Sequence, residues 1–260
     1  PLSSLVESQK MDHLDKAFKS ACRVLLGQEI GSLEDRRSSL IRYIQPVRKG
    51  KSAINGKPVY FSEGYCKGSR LISYPEAQKS VSKPINADAI KDIDSLLSAV
   101  AERFEYAGDK ILGKSDFVSE TDNCIDSVFV KQCREVYGSE YMAYCQMVEG
   151  SKYMFGCSWG TLSSFCINAT EFYRSQRVFE SAMIIYCGDV YFSHNCNSSS
   201  SLLFCFNQFS KRHCIGNRQL APDKFSEMKK KLLSEIAQDI ARKKRIPSLV
   251  ELASGGAGHE

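Results

Sequence analysis

Nine cysteines between Cys124 and Cys214 stand at gaps of 9, 12, 12, 9, 21, 9, 9 and 9 residues. No C-x-x-C pair occurs anywhere in the chain. Taken alternately, Cys124, Cys145, Cys166, Cys187 and Cys205 form one series with steps of 21, 21, 21 and 18, while Cys133, Cys157, Cys196 and Cys214 form a second. Phe129, Tyr153, Phe172, Phe192 and Phe209 keep step with the second series. A repeat of this size without helical periodicity fits the coil of a parallel β-solenoid, in which equivalent residues lie above one another at the inter-strand spacing. The expectation is about five coils of 18–21 residues. Asn123, Asn168, Asn195, Asn197, Asn207 and Asn217, with Gly138, Gly150, Gly160 and Gly188, suit the corners, where a left-handed backbone is useful.

Cysteine fits an inward column because it is small, readily buried and needs no hydrogen-bond partner. Zinc sites use close-spaced ligand pairs, which are missing here, so no metal and no other cofactor is expected. Stacked cysteines lie within disulfide range, but in a reducing cytosol buried thiols are the better reading. Eleven cysteines is an odd count, the N-terminus lacks a secretory pattern and no apolar run of about 18 residues exists. These features point to a cytoplasmic protein with no membrane partner.

The flanks read as helical and hairpin structure. Val6, Leu14, Phe18, Ala21 and Leu25 form one apolar stripe that Gly27 or Gly31 ends. A second helix starts at the Ser32 cap and stops at Pro46. Asn55-Gly56 signals a hairpin, and Ile90, Ile93, Leu96, Leu97, Val100 and Phe104 mark a helix capped by Asn86. Pro222 opens a last amphipathic helix. Both of these later helices are expected to cover the open ends of the solenoid. The chain then divides into 1–84, helices and a basic hairpin element; 85–221, a capping helix and parallel β-helix; and 222–260, a capping helix and tail. The class is α+β.

No phosphate loop, HExxH, GxSxG or dinucleotide fingerprint is present, so a non-enzymatic role is expected. Asp116, Asp122, Asp126 and Asp189 do not share a phase of the repeat, and His194 and His213 near Cys196 and Cys214 read as corner residues beside buried thiols. The charge is more informative. The net charge is +5, yet nine basic residues between Arg36 and Arg70 face Glu63 alone. Arg36, Arg37, Arg42, Arg48, Lys49, Lys51, Lys57, Lys67 and Arg70 interleave with Tyr43, Tyr60, Phe61 and Tyr65. Basic groups neutralise phosphates and aromatic faces stack on unpaired bases. These nine residues and Tyr60 are the candidate nucleic-acid-binding set, with RNA or a ribonucleoprotein such as the ribosome as partner. A second basic set, Lys229–Lys231 and Arg242–Arg245, reads as a solvated helix face. The alternatives are a β-helix enzyme acting on a carbohydrate or acidic polymer, and a self-assembling structural protein, since solenoids also favour homo-oligomers.

The order of "NGKPVYFSEGY", a Cys/Tyr/Asn-rich repeat ending in "CFNQFSKRHCIGNRQL", and "MKKKLLSEIA" resembles a group of uncharacterised archaeal proteins with a C-terminal β-solenoid. The resemblance implies an intracellular setting and a solenoid scaffold; it implies no catalytic residue. The run "NSSSSLLFC" has serine where the fuller repeat has cysteine, which argues against an obligatory metal cluster.

Overall fold

The computed structural model describes residues 2–62, 64–65, 68–79, 84–101 and 103–254. It contains a parallel β-solenoid of about nine turns, but the coil is 12 residues long rather than 18–21. One wall is built from strands beginning at 116, 128, 140 and every twelfth residue to 212, and the opposite wall begins at 122, 134, 146 and onward to 206; most strands have four residues, but Ser164–Tyr173 and Gln176–Ile185 are ten-residue strands that run through both walls. Glu140 pairs with Lys152 and Gln146 with Ser158, each partner twelve residues on. Nine strands at about 4.8 Å make a rod about 40 Å long.

The reason lies in what points inward. Every third residue from 117 to 216 has a left-handed backbone, including Phe129, Tyr141, Trp159 and Glu180. These residues form four corners per coil. Each non-glycine corner costs on the order of 1 kcal/mol or more, and the inter-coil hydrogen bonds and stacked side chains offset it. Asn123, Asn168, Asn195, Asn207, Gly138 and Gly150 occupy corners as expected, whereas Asn197, Gly160 and Gly188 do not, and Asn217 lies with Gly216 in the turn that follows the last coil.

Between corners, each coil sends four side chains inward. Two positions take larger residues such as Val130, Met142, Met154, Val148 and Ile184; the other two take serine, cysteine, threonine or alanine. The small polar positions form ladders. Ser139 Oγ donates to the Tyr137 carbonyl at 2.8 Å and accepts the Ser151 N–H at 3.1 Å. Cys145 does the same chemistry with sulfur: its thiol donates to the Ala143 carbonyl, and its own N–H reaches Cys133 Sγ at 3.2 Å. Buried polar groups need such partners, and serine and cysteine supply them interchangeably. That equivalence hid the coil length, because the cysteines occupy all four inward positions while serines fill the places between them. A step of 12 keeps the same position, as from Cys133 to Cys145; a step of nine moves to the neighbouring inward position in the next coil.

The ten described cysteines are free and buried. Burial pushes the Cys124 and Cys196 thiols up to about 11 and Cys22 to about 12, so the reactive thiolate is scarce at neutral pH. The five aromatics do not share one column. Phe129 and Tyr153 belong to an outer stack, Phe117–Phe129–Tyr141–Tyr153–Phe165, with ring centroids 4.7–4.9 Å apart. Phe172 instead points inward, and Phe209 is exposed.

Helix α1 (Leu2–Leu26) lies on the first wall, where Leu14, Phe18, Ala21 and Leu25 meet Ala143, Phe155, Ile167 and Phe179 in a shared core. Gly27 ends it in a left-handed conformation, as its sequence position indicates. Ser32 and Asp35 exchange hydrogen bonds at 3.1 Å, but the helix they open is short: a single 3-10 turn and α2 (Arg37–Leu40), finished well before Pro46. Gly156 permits this close approach, since a Cβ there would lie 2.5 Å from the Leu40 carbonyl oxygen.

The ends are closed differently from the expectation. The hairpin β1 (Arg48–Lys51) and β2 (Pro58–Phe61) is followed by β3 (Arg70–Ser73), α3 (Tyr74–Lys79), α4 (Ile93–Ala101) and β4 (Glu105–Gly108). The Asp92 carboxylate caps α4 by accepting the Ser95 N–H, which starts that helix later than Asn86. Ile93 and Leu97 of α4 are exposed, so α4 does not cover the first coil. The hairpin and the parallel β3–β4 pair do. At the other end, Arg218–Gln219 folds back antiparallel on Cys214–Ile215. Helix α5 (Pro222–Lys243) begins with Phe225 against His213 and runs back along the first wall, where Lys229 sits 3.3 Å from Asp189 and 5.0 Å above Tyr191. It therefore completes the side core through Leu233, Ala237 and Ile240 rather than only covering the last coil. No helix is long and apolar enough to cross a membrane among the described residues.

The segment after α5 is strapped to the solenoid, ending in α6 (Leu249–Ala253). Glu180, with no exposed side-chain surface, accepts hydrogen bonds from the Leu249 N–H at 2.7 Å, Asn168 Nδ2 at 2.9 Å and the Tyr43 hydroxyl. Burial raises its carboxyl above the ordinary 4.5, outweighing those hydrogen bonds. The folded state thus holds the proton more tightly than the unfolded chain. The stability this gives is full below the unfolded value and is lost as pH rises through the folded value. Glu180→Gln is expected to flatten that fall, read as urea midpoints between about pH 3 and pH 7.

Candidate nucleic-acid interface

The hairpin is fixed to the first coil by polar contacts. Asp109 N–H donates to the Tyr60 carbonyl at 2.7 Å, and Tyr60 N–H returns to Asp109 Oδ1 at 2.9 Å. Buried Asp122 accepts Ser62 N–H at 2.8 Å, Lys110 N–H at 3.0 Å and the Lys110 ammonium at 2.9 Å. Ser52 Oγ donates to Glu76, tying the hairpin loop to α3.

The structure divides the ten candidate residues. Arg36 is buried, with Nε donating to the Ile30 carbonyl at 2.6 Å and Nη1 to the Lys244 carbonyl at 3.0 Å. Arg42 donates to the Ile246 carbonyl at 2.8 Å and lies 3.8 Å from Glu180. These two guanidiniums brace the C-terminal segment. Arg37, Lys49 and Tyr60 come together at a cleft of about 190 Å³, beside Glu120, Gln132 and Tyr144. There Arg37 Nε reaches Gln132 Oε1 at 3.3 Å, Lys49 Nζ sits 5.6 Å over the Tyr60 ring, and Tyr60 OH donates to Glu120 at 3.2 Å. Arg48, Lys51 and Lys57 are exposed on the hairpin, and Arg70 is exposed and paired with Glu105 at 2.9 Å. Lys67 lies outside the described residues.

Phe61 and Tyr65, which interleave with the basic residues in sequence, are joined by Tyr106 and Phe104 from outside that span. Phe61 stacks on Tyr65 at 5.5 Å, Tyr65 packs on Tyr106 at 4.1 Å, and Tyr106 meets Phe104, half exposed, at 4.9 Å. Arg48 is the cross-strand partner of Phe61. Tyr106 arrives here because β4 pairs in parallel with β3, which sets Leu71 beside Tyr106. No local pattern marks that pairing across 35 residues. The surface can present cations beside aromatic edges and faces, the combination that holds an unpaired nucleotide.

The other candidates take structural roles. Asp126 accepts the Lys114 N–H, and Asp189, which burial alone would raise, is held below its ordinary value by Arg177 and Lys229. The Cys196 thiol donates to the His194 backbone carbonyl rather than to an imidazole. Trp159 stands at a corner and is exposed. No group of three His, Cys, Asp or Glu that could hold a metal ion occurs among the described residues. Arg242 and Lys243 pair with Asp239, and Arg245 with Glu251. In comparisons with family models, curated proteins and solved structures, the chain matches none, so what stands of the archaeal resemblance is the C-terminal β-solenoid itself.

Proposed function

We propose that the protein binds single-stranded RNA, free or within a ribonucleoprotein such as the ribosome, through its hairpin end, with the solenoid as a rigid, non-catalytic mount in the cytoplasm. The carrying observation is the Phe61–Tyr65–Tyr106–Phe104 row with Arg48 as the cross-strand partner of Phe61, and the exposed Lys49 and Lys51 on the other face of the same strand. Stacking platforms flanked by cations bind single strands with little sequence preference. Arg36 and Arg42 leave the proposed contact set, because Arg36 is buried on the Ile30 and Lys244 carbonyls and Arg42 is turned to the Ile246 carbonyl and Glu180. No activity is carried over from the archaeal proteins that the chain resembles.

The test is fluorescence anisotropy of a labelled oligouridylate over a salt series. Affinity is expected to fall with salt, with a log–log slope of roughly −0.7 per phosphate contacted. Lys49→Ala and Lys51→Ala should each make that slope shallower by nearly one such step, while Phe104→Ala should cost about 1–3 kcal/mol. Affinity that is absent, or indifferent to salt and to these substitutions, overturns the reading.

A further inference from the structure

Three successive coils present one uncovered apolar face. Its midline is Thr161, Tyr173 and Ile185, where Thr161 pairs with Tyr173 and Tyr173 with Ile185. Left-handed corners flank it: Trp159, Glu171 and Met183 along one edge, Leu162, Arg174 and Tyr186 along the other. The midline lies half a coil from Phe155, Ile167 and Phe179, which pack against α1, so this face looks away from α1 and α5. Trp159, Leu162, Met183, Ile185 and Tyr186 are each 38–55% exposed. Together they leave roughly 500 Å² of apolar surface in water, near the top of the range for the largest patch on a monomer, and such patches are often contact sites.

The chemistry of the face selects among partners. Between residues 135 and 186 its edges and midline carry Glu135, Glu149 and Glu171 against one cation, Arg174, so nucleic acid and anionic lipid are repelled. Leu162, Met183 and Ile185 offer a sugar no hydrogen bonds. An apolar protein surface is what fits.

The rim says which one. Glu171 and Arg174 stand on opposite edges of one coil, both exposed and neither in an ion pair with a described residue, and the Arg174 guanidinium lies 5.3 Å over the Tyr173 ring. A twofold axis parallel to the solenoid and passing over Tyr173 exchanges the two edges at equal height. It sets Glu171 against a second copy's Arg174, and Arg174 against that copy's Glu171. Trp159 then meets Leu162 of the copy, and Met183 meets Tyr186. Twofold interfaces have this property: residue i meets j, and j meets i.

We propose that this face pairs two copies of the chain through a twofold contact centred on Tyr173. Closing it removes about 1,000 Å² in total, the lower limit for a specific interface. The same axis brings the exposed Glu149 near its own copy, which further weakens the dimer. The face is separate from the hairpin end and stands or falls independently of RNA binding.

The experiment is sedimentation velocity on the full, nuclease-treated chain from about 1 to 300 µM, where a reversible monomer–dimer equilibrium with a Kd of roughly 10–100 µM is expected. Glu171→Arg and Arg174→Glu each set like charges opposite each other and should each weaken the dimer at least ten-fold. Trp159→Ser should do the same by removing an aromatic anchor. All three positions are exposed, so thermal unfolding should be unchanged. Mixing the Glu171→Arg chain with the Arg174→Glu chain restores opposite charges at both pairs, and the mixture should dimerise at about the parent affinity. A chain that stays monomeric to about 300 µM, a dimer indifferent to these substitutions, or a mixture no tighter than its two components each overturns the proposal.

Discussion

Phe172→Ala is expected to lower the unfolding free energy by about 3–5 kcal/mol, and Gly160→Ala by about 1–3 kcal/mol, in guanidinium melts. The two residues occupy the same inward position of successive coils and are Cα partners. A Cβ at Gly160 would lie 2.1 Å from the Phe172 ring, so the glycine exists to receive that ring. Phe172→Ala removes a buried ring and leaves a cavity; Gly160→Ala drives a methyl group into the ring. The double variant should be more stable than the sum of the two losses implies, because the added methyl then occupies part of the cavity. Contacting residues couple by about 0.5–3 kcal/mol. Strict additivity would place the two residues apart and would refute the 12-residue register.

Asp122→Ala is expected to cost about 3–5 kcal/mol. The carboxylate is fully buried and receives the Lys110 ammonium and the N–H groups of Ser62 and Lys110. Its loss leaves two backbone donors without their acceptor and takes the counter-ion from a mostly buried ammonium, which keeps the Ala107 carbonyl as a partner. Removing one partner of a buried pair is costly for that reason, even though forming the pair from water gains little. Because Ser62 directly follows β2, the variant should also loosen the hairpin, seen as faster amide exchange there than in the Ser127–Ser175 ladder. Asp122→Asn, which retains one acceptor, should lose less. A variant that melts like the parent would show that the hairpin is held elsewhere.

The two kinds of error in reading this chain have different physical origins. The solenoid was recognisable because a repeat of buried small residues has no helical explanation, yet its coil length was not. Cysteine marks only some inward positions; Ser127, Ser139, Ser151, Ser163 and Ser175 mark five successive places of one column, which Cys187 and Ser199 continue, each spaced by 12 and each serine of the five making the same pair of backbone contacts. Serine in a sequence suggests loops and surfaces, so a buried serine ladder reads as punctuation until its hydrogen bonds are seen. The α4 segment failed for the opposite reason. Its periodicity is helical and its helix forms, but periodicity cannot say what its apolar side meets, and Ile93 and Leu97 meet water.

The basic cluster shows the same division. Charge density between Arg36 and Arg70 is a property of composition, whereas the use of each cation depends on which carbonyl or carboxylate the fold sets beside it. Arg36 and Arg42 find the carbonyls of Lys244 and Ile246, more than 200 residues away, and Arg70 finds Glu105.

From its residues alone the chain specified a parallel solenoid with buried thiols, an N-terminal helix ended by Gly27, a basic hairpin and a final amphipathic helix, because each rests on local periodicity, turn chemistry or the size of an inward side chain. Folding in three dimensions set the 12-residue coil, the course of α5 along a wall, the aromatic row at the hairpin and the buried cluster of Tyr43, Asn168 and Leu249 around Glu180. Those depend on contacts between residues far apart in sequence, for which serine and cysteine, or a braced and a free arginine, look alike until their partners are in place.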